Sequence, residues 1–201
     1  MTLTLYYGTC INMVALLSFS YAGHYIPAIA YEILTHNNAA RTAKYNNTPK
    51  GNIPINFKSV LIGNGLVSPL VQYKYYPDMA CNSSYPPVLD EDTCDKMRSA
   101  YPTCAKLINQ CYKSQSASNC VRAEAYCNEG SMNSYDLTGR NVYDVRQKCK
   151  GDLCYPILHS IDKYLNREEV KRKLGVKPSI RHEACNNDTY SRFTMAGDWS
   201  V

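Results

Sequence analysis

The sequence predicts a mixed α/β fold, in which part of a parallel sheet core is followed by a disulfide-rich helical segment. Three observations carry that expectation. Short apolar stretches at 13–17 and 57–62 bracket one long helical pattern, the order of a βαβ unit whose two strands run parallel in a covered sheet. Between the first stretch and the helix stands Ser20, with the small residues Ser18 and Ala22 two places to either side and Gly23 just beyond. A serine so placed fits a nucleophile elbow, a turn too tight for bulk at those positions. Ten cysteines, at 10, 81, 94, 104, 111, 120, 127, 149, 154 and 185, point to an oxidising compartment.

The helix after Ser20 carries Ile26, Ala30, Ile33 and Leu34 on one face and Glu32 off it. Pro27 is expected in its first turn, where proline is tolerated, and the helix should fade near Thr35 and His36. Residues 37–55 are polar, contain Pro49-Lys50-Gly51 and read as a surface loop. Gly63-Asn64-Gly65 closes the second strand with a turn.

From Gln72 the character changes to cysteines, tyrosines and short helical patterns. Asp90-Glu91-Asp92 is an acidic start for a helix carrying Met97 and Tyr101. Cys104 and Cys111 stand seven apart, as do Cys120 and Cys127, with a polar loop between the pairs. Two helical turns return a side chain to nearly the same face, so a hairpin here is stapled as nested rungs, Cys111–Cys120 and Cys104–Cys127. Cys81–Cys94 and Cys149–Cys154 close two smaller loops. Residues 155–175 repeat a helical pattern with Leu158, Ile161, Leu165 and Val170 apolar, ending at Gly175 before Pro178.

Composition excludes several functions. The net charge of +5 is mild, and Lys171-Arg172-Lys173 after Glu168-Glu169 reads as a solvated helix face. Nucleic-acid binding wants a basic stripe with interleaved aromatics, which is absent from the sequence. With no Cys-x-x-Cys and no histidine pair at helical spacing, neither a metal site nor another cofactor is expected. No apolar run reaches the length of a membrane span. Asn46, Asn82 and Asn187 open glycosylation sequons, in keeping with a lumenal or secreted protein. The first basic residue is Arg41, so residues 1–12 read as an abnormal start rather than a signal peptide.

The run Ser18-Phe19-Ser20-Tyr21-Ala22-Gly23-His24-Tyr25-Ile26-Pro27 resembles the Gly-Glu-Ser-Tyr-Ala-Gly-His-Tyr-Ile-Pro signature of serine carboxypeptidases, closest to the carboxypeptidase Y group. The similarity continues through residues 59–66, 75–81 and 138–146 to Ala196-Gly197-Asp198-Trp199. It covers the central part of a family member. The division it suggests is an unmatched segment at 1–12, a partial α/β-hydrolase core at 13–71, the disulfide-stapled helical insertion at 72–140, and a truncated helical return at 141–201.

What the resemblance implies is acyl transfer. Ser20 becomes the nucleophile and the Tyr21 backbone N–H an oxyanion donor, while Leu66, Met132, Tyr143, Tyr155 and Trp199 match positions lining the substrate subsites. The same four disulfides are implied, the partners are peptide or protein C-termini, and the compartment is a vacuole or lysosome-like lumen, or the exterior. Cys185 corresponds to a cysteine that pairs with an N-terminal Gly-Gly-Pro-Gly-Cys segment, which this sequence does not contain; Cys10 is the alternative partner.

Three departures bear on activity. Phe19 replaces a glutamate that helps recognise the substrate's terminal carboxylate, and Ser18 replaces the first elbow glycine. The family's catalytic Asp and His correspond to positions beyond residue 201, and its second oxyanion donor to positions before residue 1. Asp144 or Asp152 with His159, His24 alone, and Asp198 all match family positions outside the triad and are rejected as substitutes. The expectation is therefore a serine carboxypeptidase by kinship, without turnover as a 201-residue chain. The alternatives are a non-catalytic peptide-binding or regulatory fragment and an incomplete gene product with no stable fold.

Overall fold

A computed structural model describes residues 4–5, 14–45 and 53–196, which divide between two compact units, 1–68 and 69–201. The first unit is a three-stranded sheet in the order β1 (Thr4–Leu5), β2 (Val14–Phe19), β3 (Phe57–Gly63), with helix α1 (Ala22–Tyr45) joining the last two. Strand β1 pairs antiparallel with β2, at Thr4 with Leu17 and Leu5 with Leu16. Strands β2 and β3 run parallel, with Leu16 opposite Val60 and Phe19 opposite Gly63. Leu16, Ala22, Ile26 and Ala30 form the buried seam between sheet and helix, with Ile29, Ile33, Phe57 and Ile62 packed against it.

Three expectations for this unit need correction. The sheet is not covered on both faces, for Phe19, Val60 and Leu61 are 64, 44 and 50% exposed. Pro27 lies inside α1, beyond its first turn, so the helix forgoes one backbone bond there. The helix also runs to Tyr45, ten residues past the expected end. Ala39 and Ala40 favour helix strongly. Asn37 is buried and helical because its amide pairs with the backbone just before β3: Nδ2 donates to the Ile55 carbonyl and Oδ1 accepts the Ile55 N–H, both at 2.7 Å.

The second unit is helical: α2 (Pro69–Cys81), α3 (Glu91–Ser114), α4 (Ala117–Cys127), a π-helical turn (Asn128–Met132), α5 (Asn133–Asp136), a 3-10 turn (Asp152–Cys154), α6 (Ile157–Leu165), α7 (Glu168–Lys173) and α8 (Asn187–Ala196). Helix α3 starts where the acidic run sits, because Asp90 Oδ1 accepts the Thr93 N–H at 2.8 Å. It stops at Gln115, whose left-handed φ of 47° lets its N–H reach the Cys111 carbonyl. Cys104, Leu107, Ile108 and Cys111 of α3 bury against Cys120, Ala123 and Cys127 of α4 and against Tyr73 of α2.

Disulfides Cys104–Cys127 and Cys111–Cys120 cross the hairpin as two rungs, with Cα separations of 5.0 and 4.6 Å. Cys81–Cys94 ties α2 to α3, and Cys149–Cys154 closes a short loop. Cys185 is a free, exposed thiol. Among the described residues no helix is long and apolar enough to cross a membrane.

Candidate active site

Strand β2 delivers its last residue, Phe19, opposite Gly63, and the chain then turns at Ser20 and Tyr21 into α1. Ser20 adopts φ +60°, the left-handed region that a side chain with a Cβ normally avoids. Three backbone bonds, each of 3.0 Å, hold it there. The Ser20 N–H donates to the Gly63 carbonyl, and the Ser20 carbonyl accepts both the Gly23 and the Leu66 N–H. A strained conformation persists where its surroundings over-determine it, as they do here.

Small residues make room for the turn. Ser18 and Ala22, two places to either side of Ser20, are 2 and 0% exposed. Gly23 and Gly65 let two backbones touch: a Cβ on Gly23 would lie 2.4 Å from the Leu66 carbonyl oxygen, and one on Gly65 would lie 3.2 Å from the Gly23 Cα. The Phe19 ring lies over Gly63, where a Cβ would meet it at 2.2 Å. The outcome is an exposed serine hydroxyl at the tip of a parallel strand and the head of a helix. The Tyr21 N–H follows it directly, and the Tyr21 ring packs on His24 and edge-on to Tyr25, with centroids 5.1 Å away in both cases.

The other residues singled out by sequence fall in several places. Leu66 sits beside the serine through its N–H. In the second unit Tyr143 and Tyr155 stack with centroids 5.3 Å apart, brought together by the Cys149–Cys154 loop. Burial first, then Cys185 and Tyr155 nearby, raises the Tyr143 phenol above its usual value. Met132 closes the π-helical turn and packs against the helical core. Asn82 and Asn187 are exposed, whereas Trp199 and Asn46 lie outside the described residues.

Asp144 is occupied locally. Arg146 donates to it from side chain and backbone and Gln147 from its amide, which holds the carboxyl well below the usual range. Sequence reasoning missed one histidine–carboxylate pair, His182 Nδ1 with Asp162 Oδ1 at 2.8 Å. A separation of twenty residues across two turns leaves no periodic signal for it.

An exposed serine fixed between a parallel strand and a helix is the arrangement seen in proteins built around a nucleophilic hydroxyl. The chain belongs to the serine carboxypeptidase family, whose profile matches residues 12–200. It is 50% identical over 182 residues to carboxypeptidase Y of Candida albicans, covering 90% of this chain and 31% of that protein. The carboxypeptidase Y of Schizosaccharomyces pombe is 44% identical over 90% of this chain and 18% of its own length. A carboxypeptidase Y homolog A of Paracoccidioides brasiliensis is 47% identical, with 90 and 30% covered. The chain thus spans less than a third of the length of these relatives.

Proposed function

We propose that this chain supplies the nucleophile elbow and the helical insertion of an α/β-hydrolase-type serine carboxypeptidase, which releases C-terminal residues from peptides. The observation that carries the reading is Ser20 itself, exposed at φ +60° with its carbonyl held by two N–H groups. In the reaction Ser20 Oγ bonds to the last peptide carbonyl carbon, and the carbonyl oxygen gains charge beside the Tyr21 N–H. A base takes the hydroxyl proton and passes it to the leaving amine as the C–N bond breaks; water then frees the acyl group and restores the hydroxyl. Leu66 in the first unit, and Met132, Tyr143, Tyr155 and Trp199 in the second, match the family's subsite positions and are apolar enough to receive substrate side chains.

A serine acts as a nucleophile when a base is within hydrogen-bond reach. Among the described residues Ser20 Oγ has no hydrogen-bond partner. The 201-residue chain alone is therefore expected to be silent towards a fluorophosphonate probe and towards peptide substrates. Grafted in place of the matched 182 residues of the Candida albicans relative, it should react at Ser20, and Ser20→Ala should abolish labelling. A secreted, folded graft that stays unlabelled would overturn the assignment. Phe19 offers no hydrogen bond to a terminal carboxylate, so Phe19→Glu in the graft should lower KM for free-acid peptides about tenfold, roughly one charge-assisted bond.

Four disulfides and the exposed sequons at Asn82 and Asn187 support residence in a vacuolar or lysosome-like lumen, or secretion. In the same reading the exposed Cys185 thiol pairs with a cysteine outside the described residues.

A further inference from the structure

The net charge of this chain sits in one place. Seven Lys and Arg residues and two Glu fall within residues 163–182, and the remainder carries fifteen of each sign. Around a tenth of the sequence therefore accounts for the whole excess of +5. Arg172, Lys173, Lys177 and Arg181 form no ion pair among the described residues. A charge run by itself is a solvated face, but two of its members, Lys171 and Arg181, line a built hollow.

The segment after α7 turns at Gly175 and returns along α6. Asn166, which caps α6, fixes that return: its Nδ2 donates to the His182 carbonyl and its Oδ1 accepts the His182 N–H, both at 2.9 Å. Asp162 of α6 holds the His182 ring, and Lys171 Nζ reaches the Pro178 carbonyl at 3.2 Å. These side chains hold open a hollow of about 330 Å³. Its apolar wall is Leu165, Leu174, Val176 and Ile180, and Lys171 and Arg181 stand on its rim. Glu183, bonded to Asn186, is the one carboxylate lining it. Leu174 and Ile180 remain 63 and 52% exposed, so the apolar wall is open to a partner.

We infer that this hollow is a docking site for an acidic peptide that inserts one apolar side chain between Leu174 and Ile180 and lays carboxylates against Arg181 and the α7 cations. The concavity selects for an inserted side chain, the usual form of an interface anchor, whereas a bilayer surface would want projecting apolar groups. Arg181 on its rim, free of ion pairs among the described residues, with Lys171 beside it, supplies complementary charge and speed of encounter. No residue of the Ser20 turn lines this hollow, so it stands or falls independently of the hydrolase assignment.

The test is fluorescence anisotropy of the intact chain with a fluorescein-labelled hexapeptide of alternating glutamate and leucine. Saturable binding that weakens with salt is expected, with at least tenfold loss in Lys171→Glu/Arg181→Glu and in Leu174→Asp. An all-glutamate hexapeptide should bind at least tenfold more weakly, and Lys106→Glu, an exposed charge change on α3, should leave affinity unchanged. Thermal unfolding of each variant establishes that its fold is intact. Absence of saturable binding, equal affinity for the all-glutamate peptide, or an equal loss in Lys106→Glu would overturn the site. So would phosphatidylserine vesicles binding through Leu174 and Arg181 while the peptide does not, which would make the patch a membrane surface.

Discussion

The first unit fixes the turn at Ser20 with backbone alone: three hydrogen bonds meet there, and two glycines bring the crossing chains into contact. The helical unit instead encloses its buried seam with covalent rungs, and four of the eight residues at the heart of that seam are half-cystines. The difference follows from what each can bury. A parallel strand pair under a long helix supplies Leu16 and Ile26 as well as a ladder of bonds. A two-helix hairpin supplies one narrow stripe, and staples make up the shortfall.

The most disruptive way to probe that contrast is Cys104→Ser with Cys127→Ser. Removing a native disulfide from a small domain costs about 2–5 kcal/mol. Amides of α3 and α4 should lose protection against hydrogen exchange, read by mass spectrometry, while those of β2 and the first half of α1 keep theirs. Equal loss in β2 would mean that the elbow also depends on the staples.

Gly23→Ala attacks the other side. Its Cβ would lie 2.4 Å from a backbone oxygen that cannot rotate away. Overpacking of this kind costs about 1–3 kcal/mol. Here protection should fall in β2, β3 and α1 while the stapled hairpin is unchanged, and fluorophosphonate labelling of the grafted chain should fall with it.

The same contrast governs how far the sequence could be read. The strand pair and the tight turn at Ser20 rest on local pattern, an apolar run, small residues at fixed offsets, then a 3.6-residue period, and they are legible. The nested rungs are legible too, because Cys104, Cys111, Cys120 and Cys127 advertise their spacing. What escaped depends on partners far along the chain. Helix α1 continues past His36 because Ile55 accepts and donates to Asn37, and nothing near Asn37 announces it. Strand β1 is two residues long and shows no alternation to count. The exposure of Val60 and Leu61 could not be foreseen, since an apolar run reads as a covered strand whether or not anything covers it.

A smaller effect separates the units by pH. Tyr190 of α8 donates its hydroxyl to the buried Glu124 of α4, and burial first, then that bond, raises its phenol well above the ordinary value. Tyr73, bonded to Asn128 Oδ1, is raised in the same direction, chiefly by burial. For groups whose folded pKa exceeds the unfolded value of about 10, the stabilisation is complete below that pH and drains away as pH climbs towards the folded value. The helical unit should therefore lose stability above pH ~10. Tyr190→Phe should flatten that fall in thermal melts, and an unaltered alkaline slope would remove Tyr190 from the account.

The smallest effect has the opposite sign. Ser20 holds a left-handed φ that costs a residue with a Cβ about 1–2 kcal/mol. Glycine adopts that φ freely but loses more chain entropy on folding, about 0.5–1 kcal/mol. Ser20→Gly should therefore stabilise the elbow unit by up to about 1 kcal/mol. Ser20→Ala, which keeps the Cβ, should leave its stability nearly unchanged. Exchange protection of β2 and β3 measures both, since no described partner of the Ser20 hydroxyl is lost in either variant. If the two variants behave alike, the turn stores no strain, and its left-handed serine is a consequence of the surrounding bonds rather than a conformation held against resistance. If glycine alone stabilises, the elbow has kept a less stable residue where its hydroxyl is presented, which is the mark of a position retained for chemistry.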